Sequence, residues 1–175
     1  MRELRRLEAA WSGEDWQVLS AVKGGRGGIR IINESFHHDK CGDGIQGYAV
    51  GEPVIHLVND YERGLMNGAL GHVVGVTDAG DLELSFDDET HAFTAADLVD
   101  RIDLAYAISV HKSQGSQFRR VAIVIGRTRL LDHALIYTAL TRGVDQVVFL
   151  GDRAAFERAT VAPPLALTRR VGFSV

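Results

Sequence analysis

The sequence has one cysteine and no long apolar run, and these two absences exclude several classes of protein. Cys41 is the single cysteine among 175 residues, so no disulfide framework forms, which fits a reducing compartment. No run of about 18 or more apolar residues occurs, so no membrane span is expected. The first residues, MRELRRLEAAW, lack the apolar centre of a signal peptide. We therefore expect a cytoplasmic protein without membrane contact.

The sequence also lacks the glycine-rich loop that most often binds a nucleoside triphosphate. The pattern G-x-x-x-x-G-K-[ST] is absent; residues 23–28, KGGRGG, supply glycines without the G-K-[ST] that should follow. The pair of acids that would hold Mg²⁺ after an apolar strand is missing as well. Asp152 follows VVFLG, but at the wrong place in the order of motifs.

Charge is distributed unevenly along the chain, although the formal net charge is only −4. Residues 48–100 hold eleven acidic side chains and one basic one, whereas residues 101–143 hold seven basic and two acidic ones. Such an asymmetry steers a polyanion toward one face of a protein, which favours nucleic acid as a partner. Two solvated faces explain the same distribution, and charge alone does not separate these interpretations.

Hydrophobic patterning predicts an α/β layer in the two outer parts of the chain. Continuous apolar runs predict buried strands at residues 16–21, 121–125 and 146–152. Other segments predict helices at residues 2–10, 29–38, 131–143 and 153–159. Strands that alternate with helices are typical of an α/β layer. Residues 162–175 are expected to form an irregular tail.

The middle of the chain has a different texture, with short β-like runs and tight turns between them. The runs lie at residues 52–58, 71–76, 81–86 and 90–94, separated by Gly, Asn and Asp. This pattern predicts a small barrel or sheet. The predicted organisation is an α/β domain, residues 1–47 and 103–175, interrupted by a β insert, residues 48–102. The loop at 40–47 is the candidate boundary.

Residues 109–118, SVHKSQGSQF, concentrate hydrogen-bonding side chains after an apolar run. Seven of these ten residues carry such a group: Ser109, His111, Lys112, Ser113, Gln114, Ser116 and Gln117. The density suits phosphates and sugars, and Gly115 lets the backbone approach a ligand closely. A polar surface loop without a ligand is the alternative interpretation.

Residues 135–143, LIYTALTRG, place Arg142 near the end of a predicted helix. A cation is electrostatically favoured there, which explains most such arginines. An arginine in this position can also stabilise charge that develops on a phosphoryl group.

Taken together, AYAISVHKSQGSQF (105–118) and LIYTALTRG (135–143) resemble the fifth and sixth motifs of superfamily-one helicases. The resemblance is closest to the RecD-like branch, which includes the alpha subunit of exonuclease V. VLSAVKGGRGGIRIINESF (18–36) is similar to the fourth-motif segment of that branch, and residues 51–76 are similar to its SH3-like β insert. The similarity covers most of residues 16–151. It implies a partial RecA-like parallel sheet interrupted by a small SH3-like β-barrel.

The resemblance implies roles for individual residues. Arg142 and Lys23 match the catalytic positions that reach the γ-phosphate of ATP. Five residues match nucleotide-facing positions: Gly115, Ser116, Gln117, Tyr137 and Thr141. Five match DNA-facing positions, of which the last three would also link the DNA and nucleotide sites: Ser109, His111, Lys112, Ser113 and Gln114. No metal ligand is implied within this chain.

Three residues depart from the family pattern. Gln117 replaces a common Glu, which removes a charge and puts metal or water coupling in doubt. Ser109 replaces a common Thr and keeps the hydroxyl. Lys23 replaces an Arg and loses bidentate contact with phosphate.

The family implies an ATP-dependent DNA helicase of repair and recombination, of which this chain is the second motor domain. ATP and Mg²⁺ would bind mainly to the first RecA-like motor domain of a longer protein, so the isolated chain is expected to be inactive. The implied partners are single-stranded DNA, that first domain and, in one branch, other exonuclease V subunits. The alternative is a non-catalytic module that binds nucleic acid or protein through the SH3-like insert.

Three smaller signals have structural interpretations. Residues 36–41, FHHDKC, lack a second ligand pair for zinc and are interpreted as a polar loop. Asn67-Gly68 predicts a hairpin turn within residues 59–71, although the family leaves room for DNA contact by Asn59, Tyr61 or Arg63. Trp11 and Trp16 are expected to pack in a core, or against the first motor domain that the resemblance implies, rather than to stack on bases.

Overall fold

The computed structural model describes residues 1–25, 27–41, 47–126, 128 and 131–162. Arg26, most of the predicted boundary loop, Arg127, Arg129 and nearly all of the predicted tail lie outside the described residues. The helices are α1 (Arg2–Ala10), α2 (Ile29–Lys40), α3 (Ala95–Arg101), α4 (His133–Leu140) and α5 (Arg153–Val161). The strands are β1 (Trp16–Ser20), β2 (Pro53–His56), β3 (Leu70–Val76), β4 (Leu82–Phe86), β5 (Glu89–Phe93), β6 (Ile102–Leu104), β7 (Ala107–Ser109), β8 (Phe118–Ile125) and β9 (Gly143–Gly151).

The chain divides into two compact units, residues 1–29 with 108–175 and residues 30–107. Helix α2 therefore groups almost entirely with the second unit, whereas the boundary expected from the sequence comes after residue 47. The assignment of residues 1–47 with 103–175 and of residues 48–102 to two domains stays a prediction.

A parallel sheet forms the centre of the first unit. Its strand order is β7-β1-β8-β9, and β8 pairs in parallel with β1 on one side and with β9 on the other. Residues 121–125 of β8 are all buried, as expected for a strand with neighbours on both edges and cover on its faces. The predicted α/β architecture with a parallel sheet is confirmed.

Aspartate side chains cap the N-termini of two helices in the first unit. Asp132 accepts a hydrogen bond from Leu135 N at 2.8 Å at the start of α4. Asp152 accepts one from Ala155 N at 3.0 Å at the start of α5. Both arrangements are N-caps, which satisfy backbone N–H groups that have no partner within the helix. Asp152, which follows the apolar run of β9, thus caps a helix.

Trp11 packs in the interior of the first unit. Its side chain is 2% exposed, and its ring meets the Trp16 ring edge-on at 5.7 Å between centroids. The predicted core packing is confirmed for Trp11, and Trp16 packs against it while half-buried.

The second unit contains an antiparallel sheet with the strand order β5-β4-β3-β2-β6. Its core is made of fully buried apolar side chains, including Val54, Leu82, Leu84 and Phe93. The four predicted β runs all form strands. In the described residues β5 and β6 are the two edges of an open order, so the SH3-like barrel stays a prediction.

Helix α3 and strand β6 follow β5 and were not expected from the sequence. Thr94 and Asp97 form a reciprocal capping box at the start of α3, in which each side chain accepts from the other residue's backbone N–H. The pattern T-A-A-D was thus a readable start signal.

The helix predicted over residues 29–38 is confirmed as α2 and continues to Lys40, so the interpretation of residues 36–41 as a polar loop is wrong. Phe36 is fully buried and stacks against Tyr106 at 5.2 Å. His37 donates from Nδ1 to the buried carboxylate of Glu52 at 2.8 Å, and the Tyr106 hydroxyl donates to the same carboxylate at 2.9 Å. The apolar and charged contacts of these side chains hold the segment in a helix.

None of the described helices is long and apolar enough to cross a membrane.

Candidate functional site

The segment between β7 and β8, residues 110–117, folds into successive tight turns. Ser113 N donates to Ser109 O at 3.1 Å, Gln114 N to His111 O at 3.2 Å, and Ser116 N to Ser113 O at 3.1 Å. The Ser109 hydroxyl accepts from Lys112 N at 3.1 Å. Because its own backbone groups bond to one another, this short polar segment has a defined shape.

The predicted binding residues of this segment divide by exposure. His111, Lys112, Gln114, Gly115 and Gln117 are exposed, whereas Ser109 and Ser116 are half-buried. Ser113 is fully buried, and its hydroxyl donates to Val110 O at 2.8 Å. The Ser113 side chain therefore supports the segment from inside and is not available to DNA, contrary to the role that the resemblance implies for it.

Gly115 lies at the exposed bend of the segment. Its φ of +90° is a conformation that residues with a Cβ atom rarely adopt, and a Cβ there would meet nothing within 4 Å. Backbone conformation, rather than lack of space, requires glycine at this position.

Arg142 is held by three acceptors of its own unit. Its Nε donates to Thr138 O at 3.2 Å, its Nη1 to Ser116 O at 3.1 Å and its Nη2 to the Thr141 hydroxyl at 3.2 Å. The main chain adds a further link, because Phe118 N donates to Arg142 O at 2.8 Å. The two segments that together suggested a nucleotide site thus meet at this arginine.

Thr141 serves Arg142 in this arrangement. A hydroxyl has one proton, and that of Thr141 goes to Thr138 O at 2.9 Å while its oxygen accepts from Arg142. Because phosphate oxygens are acceptors, Thr141 cannot donate to a nucleotide without breaking this bond.

Tyr137 lies in α4, which ends at Leu140 just before Thr141, and its side chain is 61% exposed. It is accessible to a ligand at the protein surface.

Lys23 lies on the turn that follows β1, at the carboxyl end of the parallel sheet. Two close approaches show this placement. A Cβ on Gly27 would lie 3.1 Å from Val124, at the end of β8, and a Cβ on Gly126 would lie 3.2 Å from Val22. Ser20 anchors the turn by donating from its hydroxyl to Gly27 O at 3.0 Å. The Lys23 side chain is exposed.

Lys23 and Arg142 therefore lie at opposite ends of the sheet. Lys23 follows Ser20, which pairs with Val124, whereas Arg142 precedes Gly143, which pairs with Phe118. At about 3.3 Å per residue, the stretch of β8 between these pairs measures roughly 20 Å. The resemblance implies that both cations reach one phosphoryl group, but the structure does not bring them together in this way.

The predicted Asn67-Gly68 turn is closed by a hydrogen bond from Ala69 N to Met66 O at 3.0 Å, and residues 60–65 form a second, restrained turn just before it. Asp60 and Leu65 exchange two backbone hydrogen bonds at 2.7 and 2.9 Å. The Asp60 carboxylate accepts from Arg63 and from Arg101, each at 2.8 Å. The hydrogen bond from Arg63 holds the pKa of Asp60 below its usual value, although burial opposes the shift. Between these anchors Tyr61 projects with 81% of its side chain exposed.

Sequence reasoning missed the buried Asn33, which binds backbone on either side of residues 105 and 106. Its Nδ2 donates to Leu104 O at 2.7 Å and to Ala107 O at 3.2 Å, and its Oδ1 accepts from Ala107 N at 2.7 Å. All three bonds lie within the second unit. In the sequence, Asn33 stood out only as part of residues 18–36, the segment that is similar to the family's fourth motif.

No three His, Cys, Asp or Glu side chains of the described residues come together as metal ligands. This unit offers two features to a ligand. One is the guanidinium of Arg142, which follows α4, and the other is the set of exposed polar side chains among residues 111–117. Such groups suit anionic oxygens and polar bases.

Comparison with known proteins identifies relatives over most of the chain. Residues 104–150 match the family described as the UvrD-like helicase C-terminal domain. The ATP-dependent RecD2 DNA helicase of Deinococcus radiodurans is 33% identical over 147 residues, which are 83% of this chain and 19% of the relative. The RecBCD enzyme subunit RecD of Mycolicibacterium smegmatis is 31% identical over 164 residues, covering 88% of this chain and 29% of that protein.

A solved structure shares the fold. The Pif1 helicase from Bacteroides, crystallised with ADP-AlF3 and single-stranded DNA, aligns with a TM-score of 0.61 at 20% identity, over 95% of this chain and 48% of that one. The chain spans less than a third of the length of the two curated relatives above and about half of this structural neighbour.

Proposed function

The chain belongs to the RecD-like superfamily-one DNA helicases, and on this premise we propose that it is the second RecA-like motor domain of an ATP-dependent DNA helicase, with an SH3-like insert. ATP and Mg²⁺ bind mainly to the first motor domain of the whole protein. The partners are that domain, single-stranded DNA and, where the protein works in an exonuclease V complex, its other subunits. The role belongs to DNA repair and recombination.

Arg142 carries the proposed contribution to catalysis. A guanidinium has five N–H groups, and three of those of Arg142 bind Thr138, Ser116 and Thr141. One N–H on each terminal nitrogen remains for two phosphoryl oxygens. A guanidinium held in advance stabilises the charge that develops as a γ-phosphoryl group is transferred, without reorganisation at that moment.

The described acids form no cluster suited to Mg²⁺, so this unit fits the phosphoryl group but not the metal. The metal, when bound to the whole protein, neutralises charge on the β- and γ-phosphate oxygens.

The exposed part of residues 109–117 carries the proposed contact with single-stranded DNA. His111, Lys112 and Gln114 are exposed and offer donors to the DNA backbone and bases. Gln117 is also exposed but follows Ser116, the residue that contacts Arg142, so it is assigned to the nucleotide instead. Because coupling requires contacts that differ between two states, the segment must shift when DNA binds. Any such shift reaches Arg142 through the carbonyl of Ser116.

The observation that carries this proposal is the bond between Arg142 Nη1 and Ser116 O. It joins the segment assigned to DNA with the side chain assigned to the nucleotide.

Turnover by the whole protein tests the role of Arg142. We expect Arg142→Ala to lower DNA-stimulated ATP hydrolysis by about 10³-fold, with a much smaller change in nucleotide affinity. Arg119→Ala is the matched control, because Arg119 lies in the same unit, is exposed and pairs with Asp145 at 2.8 Å. Equal turnover by Arg142→Ala and the control would remove the assigned role.

A second function is favoured by one observation, the exposed Tyr61 on its restrained turn. Rigid aromatic side chains lose little entropy when they bind a partner. The second unit would then act as a non-catalytic interaction module that binds nucleic acid or protein.

Strand binding by the whole 175-residue chain separates the two functions. If the motor proposal holds, Lys112→Ala weakens binding of an oligothymidylate and Tyr61→Ala does not. The reverse result, with binding lost only in Tyr61→Ala, favours the module.

A further inference from the structure

Lys23 and Arg142 cannot share one phosphoryl group, because roughly 20 Å of strand β8 separates their ends of the sheet. We propose that Lys23 binds a backbone phosphate of single-stranded DNA rather than the nucleotide. This inference rests on the proposed function and changes one role within it. The nucleotide-facing arginine then stands at the amino end of the sheet, and Lys23 at the carboxyl end.

The beginning of the 109–117 segment lies at the same end of the sheet as the Lys23 turn. Ala21 follows β1 and Val110 follows β7, and the two line one apolar cavity with Val124 and Ile125 from the end of β8. Strands β1 and β7 are neighbours in the sheet. Lys23 is thus two residues from one wall of this cavity, and His111 is one residue from another.

Pairing distinguishes Lys23 from Arg119 and Arg120, two arginines within β8. Arg119 pairs with Asp145 at 2.8 Å, and Arg120 pairs with Glu14. In the part of the chain that the structure describes, no carboxylate lies within 4 Å of Lys23. Its ammonium group is therefore available to an anion from solution, whereas those guanidinium groups are already neutralised.

Backbone hydrogen bonds close the turn that carries Lys23. Gly28 N donates to Gly25 O at 2.9 Å, and Ile29 N donates to Val22 O at 3.0 Å. Gly28 is packed so tightly that a Cβ would lie 2.6 Å from Gly24 C. A fixed turn loses little entropy on binding, so the favourable energy of the ionic contact is kept.

The surroundings of Gly24 and Gly25 suit a flexible polyanion as the ligand. Both are exposed, and a Cβ on either would meet nothing within 4 Å, so a sugar-phosphate chain can approach the backbone closely. Lysine is a point charge on a flexible stem, which suits a single phosphate of variable position. Such contacts position a strand without reading its sequence.

Equilibrium binding of a fluorescein-labelled oligothymidylate to the 175-residue chain, from 50 to 200 mM NaCl, tests the proposal. The slope of log K against log salt is negative, and loss of one phosphate contact reduces its magnitude by about 0.7 for single strands. We expect this decrease and weaker binding for Lys23→Ala, with recovery in Lys23→Arg. Arg119→Ala, an exposed but paired cation, should behave as the wild type. Unchanged thermal unfolding of Lys23→Ala shows that the fold is intact.

Two outcomes would overturn the inference and leave the proposed function standing. One is normal affinity and slope in Lys23→Ala while Lys112→Ala binds more weakly. The other is normal strand binding with a raised KM for ATP in the whole protein, which would return Lys23 to the nucleotide. If the wild-type chain binds no strand at all, the DNA role of the unit fails together with the inference.

Discussion

The carbonyl oxygen of Ser116 accepts a hydrogen bond from Nη1 of Arg142 at 3.1 Å. This bond spans two segments that are separated in sequence by all of β8 and α4. A half-buried guanidinium with three internal acceptors has few alternative rotamers. Changes at either of the two segments should therefore alter the direction in which Arg142 points.

Thr141 should act by orienting Arg142. In the whole protein, Thr141→Val removes both hydroxyl bonds and keeps the shape, so we expect kcat for ATP to fall about tenfold with KM nearly unchanged. Thr141→Ser keeps the hydroxyl and should restore turnover.

A separate readout needs only this chain: nitrogen NMR should show faster exchange of the Arg142 side-chain protons in Thr141→Val than in Thr141→Ser. Equal exchange in the two variants would argue against an orienting role.

Gly115→Ala should disturb the binding segment more than the fold. The substitution forces an alanine to φ near +90°, which costs about 1 kcal/mol of unfolding free energy or relaxes the bend. We expect weaker oligothymidylate binding. Gly80→Ala is the matched control, since Gly80 has the same φ of +90° and equally open surroundings in the other unit. A similar loss of binding in both variants would show a general effect of stability.

Asn33→Ala should be among the more destabilising single changes. It leaves Ala107 N and two carbonyls without their side-chain partner in a buried place, at about 1–3 kcal/mol for such a group. Chemical denaturation of the second unit measures the change. Asn33→Asp keeps the acceptor for Ala107 N but loses the donor, so it should lie below the wild type as well. A wild-type midpoint in Asn33→Ala would contradict this account.

The stability of the second unit should decline in acid. Asp60 and Asp97 both have a lowered pKa. For Asp60 the Arg63 hydrogen bond is the largest influence. For Asp97 burial is the largest single influence and raises the pKa, but the Thr94 bonds and nearby arginines together outweigh it. At low pH the unfolded chain binds more protons than the folded one, so their contribution is complete above pH of about 4 and is lost as pH falls through the lowered values.

Unfolding midpoints measured from pH 7 to pH 3 test this dependence. Asp60→Asn should be less stable at pH 7 and should lose less stability on acidification than the wild type. Parallel curves for the two proteins would assign the acid sensitivity to other groups.

The central strand of the parallel sheet was readable from the sequence, because a strand that is buried on both faces appears as an unbroken run of apolar residues. Residues 121–125 are apolar throughout, and the parallel β8 that contains them is buried at every one of those positions. Helix α3 has seven residues and one buried side chain, Leu98, so its periodicity is too short to read. Helix α2 was predicted to end at residue 38 but continues to Lys40, and contacts of Phe36 and His37 with distant residues stabilise its last turn.

The site was predictable in its parts but not in its arrangement. Spacing and residue types identified the segments around Lys112 and Arg142, and the fold brings the second of these against Ser116. Burial of Ser113 was not readable, since a serine in a polar stretch carries no sign of direction. The distance between Lys23 and Arg142 depends on which strands are neighbours in the sheet and on their direction. The local pattern of residues along the sequence carries no information about either.

The pairing of β1 with β8 has a consequence for how the protein folds. Val18 and Ala122 are partners in the sheet although roughly 100 residues separate them, so this pairing closes a long loop that is entropically unfavourable in an unstructured chain. Residues 30–107 form one continuous stretch with mainly local antiparallel pairings. That stretch should reach its native structure first and shorten the effective loop, which makes the parallel sheet the slow step of refolding.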